Sequence, residues 1–234
     1  MVYKTAIGKP RIDLIDRENI VLPDKKILAP GELGATIELI VRDGLNDPEG
    51  KIVNHIGPKR SESFTRQFMD FLWLMFLGQF EHNPFPVIDT SNVTRNIGWT
   101  GKSLNANAAV ASVLSGIVVG TGNTAPVITN IVMETLILHD AAPPTAGRMQ
   151  YSIVSFGAPA SDATTSQCTI TRNFANASAG AITVNEVGLY VSALRGDLVN
   201  SIFYFLVIRD VIAGGILVAN GQTLTVNYRP QAVI

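Results

Sequence analysis

The chain has one cysteine, Cys168, too few for an intrachain disulfide or a thiolate metal cluster. Histidine is scarce as well: His55, His82 and His139 stand far apart, with no pair at metal-ligand spacing. Charge is thin. Asp, Glu, Lys and Arg make up 16% of the 234 residues, against about 25% in ordinary soluble domains. The net charge of -1 gives no general attraction for nucleic acid or an anionic membrane, so no specific nucleic-acid partner is expected. Residues Met1 to Arg17 mix Lys4, Lys9, Arg11, Asp13 and Asp16 with apolar side chains, which is not the apolar core of a signal peptide. Phe71 to Leu77 is apolar without a break, but a bilayer span needs about 20 residues, so no membrane span is expected. Aromatics at 7% argue against a dense sugar-binding face.

What is present is apolar. Hydrophobic residues reach 47%, which excludes a disordered chain and leaves two outlets: a large core, or surface buried against other subunits. Charge is also unevenly placed. Residues 1–102 hold 13 Lys+Arg and 13 Asp+Glu, and the remaining 132 residues hold 5 and 6. The second part is rich in Ala, Val, Thr, Ser, Asn and Gly, a composition suited to pairing backbone in sheets while offering small neutral faces. This shift suggests a hairpin-and-helix docking region over 1–81, a connector over 82–114 and an assembly module over 115–234.

In the first region Ala35 to Val41 reads as a strand. Asp43-Gly44 and Pro48-Glu49-Gly50 read as turns, and Lys51 to Ile56 as the returning strand, closed by Gly57-Pro58. A helix follows, with Ser61 or Ser63 as its cap. Phe64, Phe68, Phe71, Leu72, Met75 and Phe76 fall on one helical face. The apolar stretch over Phe64 to Phe80 reads first as a buried core helix; as an interface helix, the alternative, it makes Phe64, Phe68, Phe71, Trp73, Phe76 and Phe80 the candidate interface residues. Asn83-Pro84-Phe85-Pro86 resists both helix and central strand. From Gly116 onward, short apolar or alternating runs separated by turns suggest an antiparallel sandwich. They include Ile131 to Ile137, Arg148 to Val154, Gln167 to Phe174, Ala181 to Tyr190, Ser201 to Arg209 and Gln222 to Tyr228. The fold expected is mainly β: an antiparallel C-terminal β-sandwich with an N-terminal hairpin and one apolar helix.

One stretch carries more than periodicity. Thr169-Ile-Thr-Arg-Asn-Phe174 is followed by Asn176, Ser178 and Ile182-Thr-Val-Asn-Glu-Val-Gly-Leu-Tyr190. Alternation suggests that the two runs form a hairpin, with Glu186 pairing Arg172 across it. Together with Gly116 to Thr124 upstream, and Ile208-Arg-Asp-Val211 and Val218 to Val226 downstream, this order resembles a β-rich module of tailed-bacteriophage structural proteins. The resemblance covers roughly residues 115–228, and the hairpin before Lys59 to Phe64 resembles the start of such proteins. It implies a virion subunit made in the bacterial host cytoplasm. Its partners would be further copies of itself, other virion proteins and a host surface receptor. Its place would be the tail, baseplate or tail-fibre attachment, with a capsid decoration or head-fibre protein as the alternative. A receptor- or carbohydrate-binding tail module, using Trp73, Trp99 and Tyr190 as platforms, is a further alternative.

Enzyme chemistry is not expected. Asn96 to Ser103 ends like a phosphate-binding loop but has Asn96 where the first glycine is needed. Gly120-Thr-Gly122 lacks a third glycine and reads as a strand end. His139-Asp140 has no activated serine motif to serve, and Cys168 lies in a strand-like run. Asp13 with Asp16, and Asp43 with Asp47, read as loop carboxylates. No cofactor and no metal are expected.

Overall fold

The computed structural model describes residue 28 and residues 32–61, 63–77, 85–97, 104–141, 145–194 and 201–233. Its elements, in chain order, begin with β1 (Leu33–Asp43), β2 (Ile52–Ser61), α1 (Arg66–Leu77), β3 (Phe85–Ile88) and β4 (Thr94–Ile97). Then come β5 (Gly116–Gly120), β6 (Gln150–Tyr151), β7 (Ser155–Phe156), β8 (Ala160–Ser161) and β9 (Thr165–Gln167). The series closes with β10 (Ile170–Asn176), β11 (Ile182–Leu194), β12 (Ile202–Val218) and β13 (Gln222–Val233). The protein is mainly β, its strand pairings are antiparallel, and α1 is the single helix among the described residues.

Two sheets face each other. The larger runs β2-β1-β13-β10-β6, with β7 also on β10, β9 on β13, and β8 on β9; the smaller runs β12-β11-β5. Alternation in β1 sends Ala35, Ile37, Leu39 and Val41 into the core and Thr36, Glu38, Ile40 and Arg42 to the other face. Leu224, Val226 and Tyr228 of β13 and Ile170 and Phe174 of β10 join them. Opposite stand Ile117 and Val119 of β5, Val184 and Val187 of β11, and Leu206 and Ile208 of β12, all in one core. β3 and β4 form a separate hairpin, the one arrangement in which Pro86 interrupts no central ladder.

The N-terminal hairpin is part of the larger sheet. β1 pairs with β13 along its whole length, from Leu33 with Ala232 to Asp43 with Gln222. Hydrogen bonding therefore runs across the compositional divide between residues 1–81 and 115–234. β2 does not close at Gly57-Pro58 as expected but continues to Ser61, with the register shifting opposite Ile37 to Leu39. Gly57 has φ of +96°, and a Cβ there would lie 2.6 Å from the Ile37 carbonyl oxygen, so the irregularity needs glycine.

Three other sequence expectations are corrected. The runs Thr169–Phe174 and Ile182–Tyr190 do not form a hairpin: β10 lies in the larger sheet and β11 in the smaller, and the turn between them crosses the sandwich. Ile131 to Ile137 is not a strand. Its consecutive amides of Met133, Glu134 and Thr135 donate to the Tyr190 hydroxyl and the Glu186 carboxylate, and backbone pairing with β5 is confined to one bridge, Leu136 with Gly120. Arg148 to Val154 is a strand only at Gln150–Tyr151, with one further bridge from Met149 to His139; beyond these the Ser152 carbonyl accepts from Arg172 and the Val154 amide donates to Ala108. Cys168 lies half-buried between β9 and β10, and its amide donates to the Pro230 carbonyl.

Candidate functional site

Helix α1 docks through the segment just before it. Thr65 donates its amide to the Val207 carbonyl and its hydroxyl to the Leu206 carbonyl at 2.5 Å, while Phe64 bridges to Ile208. Ser61 is not the cap: its hydroxyl donates to Asp210, and the helix begins after Thr65. The buried face is centred on Gln67, Phe71 and Leu74 rather than on the expected stripe. Phe71 meets Phe205 of β12 edge-on, with ring centroids 5.1 Å apart. Phe64 and Phe68 are half-buried and stack on each other at 4.4 Å.

Of the candidate interface residues, Phe71 is thus a core residue, and Phe64 and Phe68 lie at the seam between helix and sheet. Trp73 is 47% exposed, on the side that also presents Met69. Phe76 lies in α1, but its side chain falls outside what is described, and Phe80 lies outside the described residues. As a sugar platform Tyr190 is unsuited, since its ring is buried and its hydroxyl accepts from the Met133 amide. Trp99 lies outside the described residues, as do residues 98–103 of the incomplete phosphate-loop motif.

The motif residues come together, but as ties within the sandwich. Arg172 is buried and donates to five backbone carbonyls: Ser152, Ser115, Ile117, Ala109 and Ser112, at 2.7 to 3.2 Å. Its guanidinium also lies over the Tyr151 ring, 4.8 Å from the centroid. Burial lowers its pKa to about 10, which leaves it charged at neutral pH.

The expected Arg172–Glu186 pair does not form, because their strands lie in different sheets. Glu186 is fully buried and takes Arg209 Nε at 2.7 Å, together with the amides of Gly122, Thr135 and Glu134. Arg209 continues to Asn130 and Glu134, and Glu134 accepts from the amide and hydroxyl of Thr124. Those Thr124 bonds hold the Glu134 carboxyl below its usual range. The glycines that read as a strand end make room for this network: a Cβ on Gly120 would lie 2.4 Å from Glu186 Oε1.

Asn176 joins the two turns that cross between sheets. Its Nδ2 donates to the Gly180 and Val218 carbonyls, its Oδ1 accepts from the Ser178 amide and hydroxyl, and its backbone carbonyl accepts from Gly221. Asp210, next to Arg209 on β12 and buried within the sandwich, accepts from Ser61 at 2.7 Å and from Tyr228 at 2.8 Å. Burial, then the Asp210 carboxylate, raises the Tyr228 pKa well above the usual phenol value.

Sequence reasoning missed a further cluster on the outer face of the larger sheet. Glu38 of β1 meets His55 Nε2 of β2 at 3.0 Å, and Asn227 and Arg229 of β13. Asn227 in turn accepts from the Thr171 hydroxyl of β10 at 2.7 Å, so one row of side chains crosses four strands. Burial pushes the Glu38 carboxyl up, but His55, Arg229 and Asn227 outweigh it and hold the pKa at about 2. A glutamate inside the apolar run Ala35 to Val41 was the available signal. The other histidine described, His139, accepts from the Tyr151 amide through Nδ1 at 3.0 Å. Asp43 accepts from Gln222, and Asp47 from the Glu49 amide, within and beside the β1–β2 turn. Asp13, Asp16 and His82 lie outside the described residues.

Among the described residues no cluster of His, Cys, Asp and Glu could hold a metal ion, and no helix is long and apolar enough to cross a membrane. The chain matches no family model, no curated protein and no solved structure.

Proposed function

We infer that this chain is a structural subunit of a tailed-phage virion, acting through protein–protein surfaces rather than by turnover. The tail, baseplate or tail-fibre attachment is its proposed place, and further copies of itself and other virion proteins are its proposed partners. The observation that carries the reading is the part taken by the motif residues. Arg172, Asn176, Glu186, Arg209 and Asp210, which bear the resemblance, direct their polar atoms at backbone and side chains of the same molecule. A module that uses such groups for internal ties fits a building block, whose function lies in the surfaces the ties hold still. Low charge and exposed apolar side chains such as Met69 and Trp73 agree with this. The test is peptide mass spectrometry of purified particles of the phage that encodes the chain, with labelled antibody locating it by electron microscopy. Stoichiometric presence on the tail is expected; absence from intact particles overturns the reading.

A further inference from the structure

At the β6 edge of the larger sheet, two irregular segments lie side by side. The Ala111 amide donates to the Tyr151 carbonyl at 3.1 Å, and the Val154 amide to the Ala108 carbonyl at 3.0 Å. From this pair of segments Val110, Leu114, Ile153 and Phe156 reach solvent, exposed by 64%, 52%, 58% and 53%. Side chains of this size and exposure present on the order of 400 Å² of apolar surface, the range of the largest patch on a typical monomer, which is often functional.

The segments are rigidly held. Arg172 ties both, bonding Ala109, Ser112 and Ser115 on one side and Ser152 on the other. Gly116 packs at their junction, where a Cβ would lie 2.6 Å from Val154 Cγ2 and 2.9 Å from Ala108 Cβ. Ala111, beside Val110, sits at φ of +69°. A side-chain-bearing residue there costs on the order of 1 kcal/mol and persists only where its surroundings impose it. A surface fixed before contact loses little entropy on binding.

We propose that this patch is an interface between two copies of the chain. The choice of occupant rests on charge and area. Residues 105–115 and 149–158 contain no Asp, Glu, Lys or Arg, and their polar side chains are Asn, Ser, Gln and Tyr. A charged partner would lose hydration here and gain no counter-charge. The same patch on a second copy meets apolar surface with apolar surface and neutral donors with neutral acceptors, as a twofold contact requires. Two such patches together remove about 800 Å² of apolar area, which with a polar rim reaches the lower range of specific interfaces. The proposal deepens the reading of the chain as an assembly subunit, but its test is independent of particle composition.

The experiment is sedimentation velocity of the full chain over a wide concentration range. The unaltered protein is expected to pass from monomer to dimer. Ile153→Asp and Val110→Asp, one on each segment, are expected to weaken the dimer at least tenfold, while Leu45→Asp in the exposed β1–β2 turn leaves it unchanged. Circular dichroism establishes that each variant is folded. Should either variant fail to fold, hydrogen exchange on the unaltered protein replaces it, with amides of 105–115 and 150–156 expected to gain protection as concentration rises. A chain that stays monomeric throughout, folded variants that still dimerise normally, or exchange there independent of concentration overturns the proposal. None of these outcomes alters the presence or absence of the chain in particles, on which the broader reading stands or falls.

Discussion

A buried arginine with no carboxylate among its hydrogen-bond acceptors is an expensive residue to keep, and Arg172 is kept by backbone. Its planar fork reaches five carbonyls, four on irregular segments with no ladder to satisfy them and one, Ile117, in strand β5. Lysine has the charge but only three donors on a flexible stem. Arg172→Lys is therefore expected to lower stability by about 3 kcal/mol, seen as a lower urea midpoint at unchanged slope. A midpoint equal to that of the parent would show that the carbonyls find other donors. Glu38 makes a prediction in pH. Its folded pKa of about 2 lies below its ordinary 4.5, so its stabilisation is complete above pH 4.5 and disappears as pH falls toward 2. After allowance for solvent screening it is worth on the order of 2 kcal/mol at neutral pH. The gap in stability between the parent and Glu38→Gln should be present at pH 7 and close near pH 2. A gap independent of pH would contradict the assignment.

At the scale of elements, the sequence was most legible where burial is one-sided. Ala35 to Val41 and Gln222 to Tyr228 read as strands and are strands, with Ala35, Ile37, Leu39 and Val41, and Leu224, Val226 and Tyr228, inward. It was least legible where side chains replace a neighbouring strand. Ile131 to Ile137 reads as a strand, yet the amides of Met133, Glu134 and Thr135 are bound by Tyr190 and Glu186, from distant parts of the chain, and only Leu136 bridges to β5. Periodicity reports which side is buried and is silent on what satisfies the backbone. The same limit explains Asn176: a small-residue turn reads alike whether it returns within one sheet or crosses to another. The helix face was misplaced for a different reason, since Gln67, a polar residue, sits at its buried centre. Two glycines test this picture. Gly120→Ala places a methyl against Glu186 and the Thr135 carbonyl and should cost about 2–3 kcal/mol. Gly180→Ala, in the crossing turn with open space around it, should change stability by less than about 0.5 kcal/mol. Comparable losses in thermal melts of the two variants would contradict the cramped environment assigned to Gly120.

For the whole molecule, the compositional halves and the hydrogen-bonded body do not coincide. β1 is zipped to β13 over eleven residue pairs, and Asp210 links β2, β12 and β13. One cooperative unit should follow, with far-UV circular dichroism and tryptophan emission tracing the same urea transition. Two separated transitions would mean that the N-terminal hairpin folds apart from the sandwich.

The pairing of β1 with β13 also sets a clock on synthesis. β2 follows β1 directly in the chain, but β1's other neighbour, β13 (Gln222–Val233), follows every other strand described. Until then β1 and β10 each present an open edge, a template for mispairing with other nascent chains. A fragment ending before Gln222 should therefore aggregate rather than fold, while a chain that includes β13 closes both edges in one step. For a protein proposed to assemble, this ordering withholds the finished surface until β13 has been made.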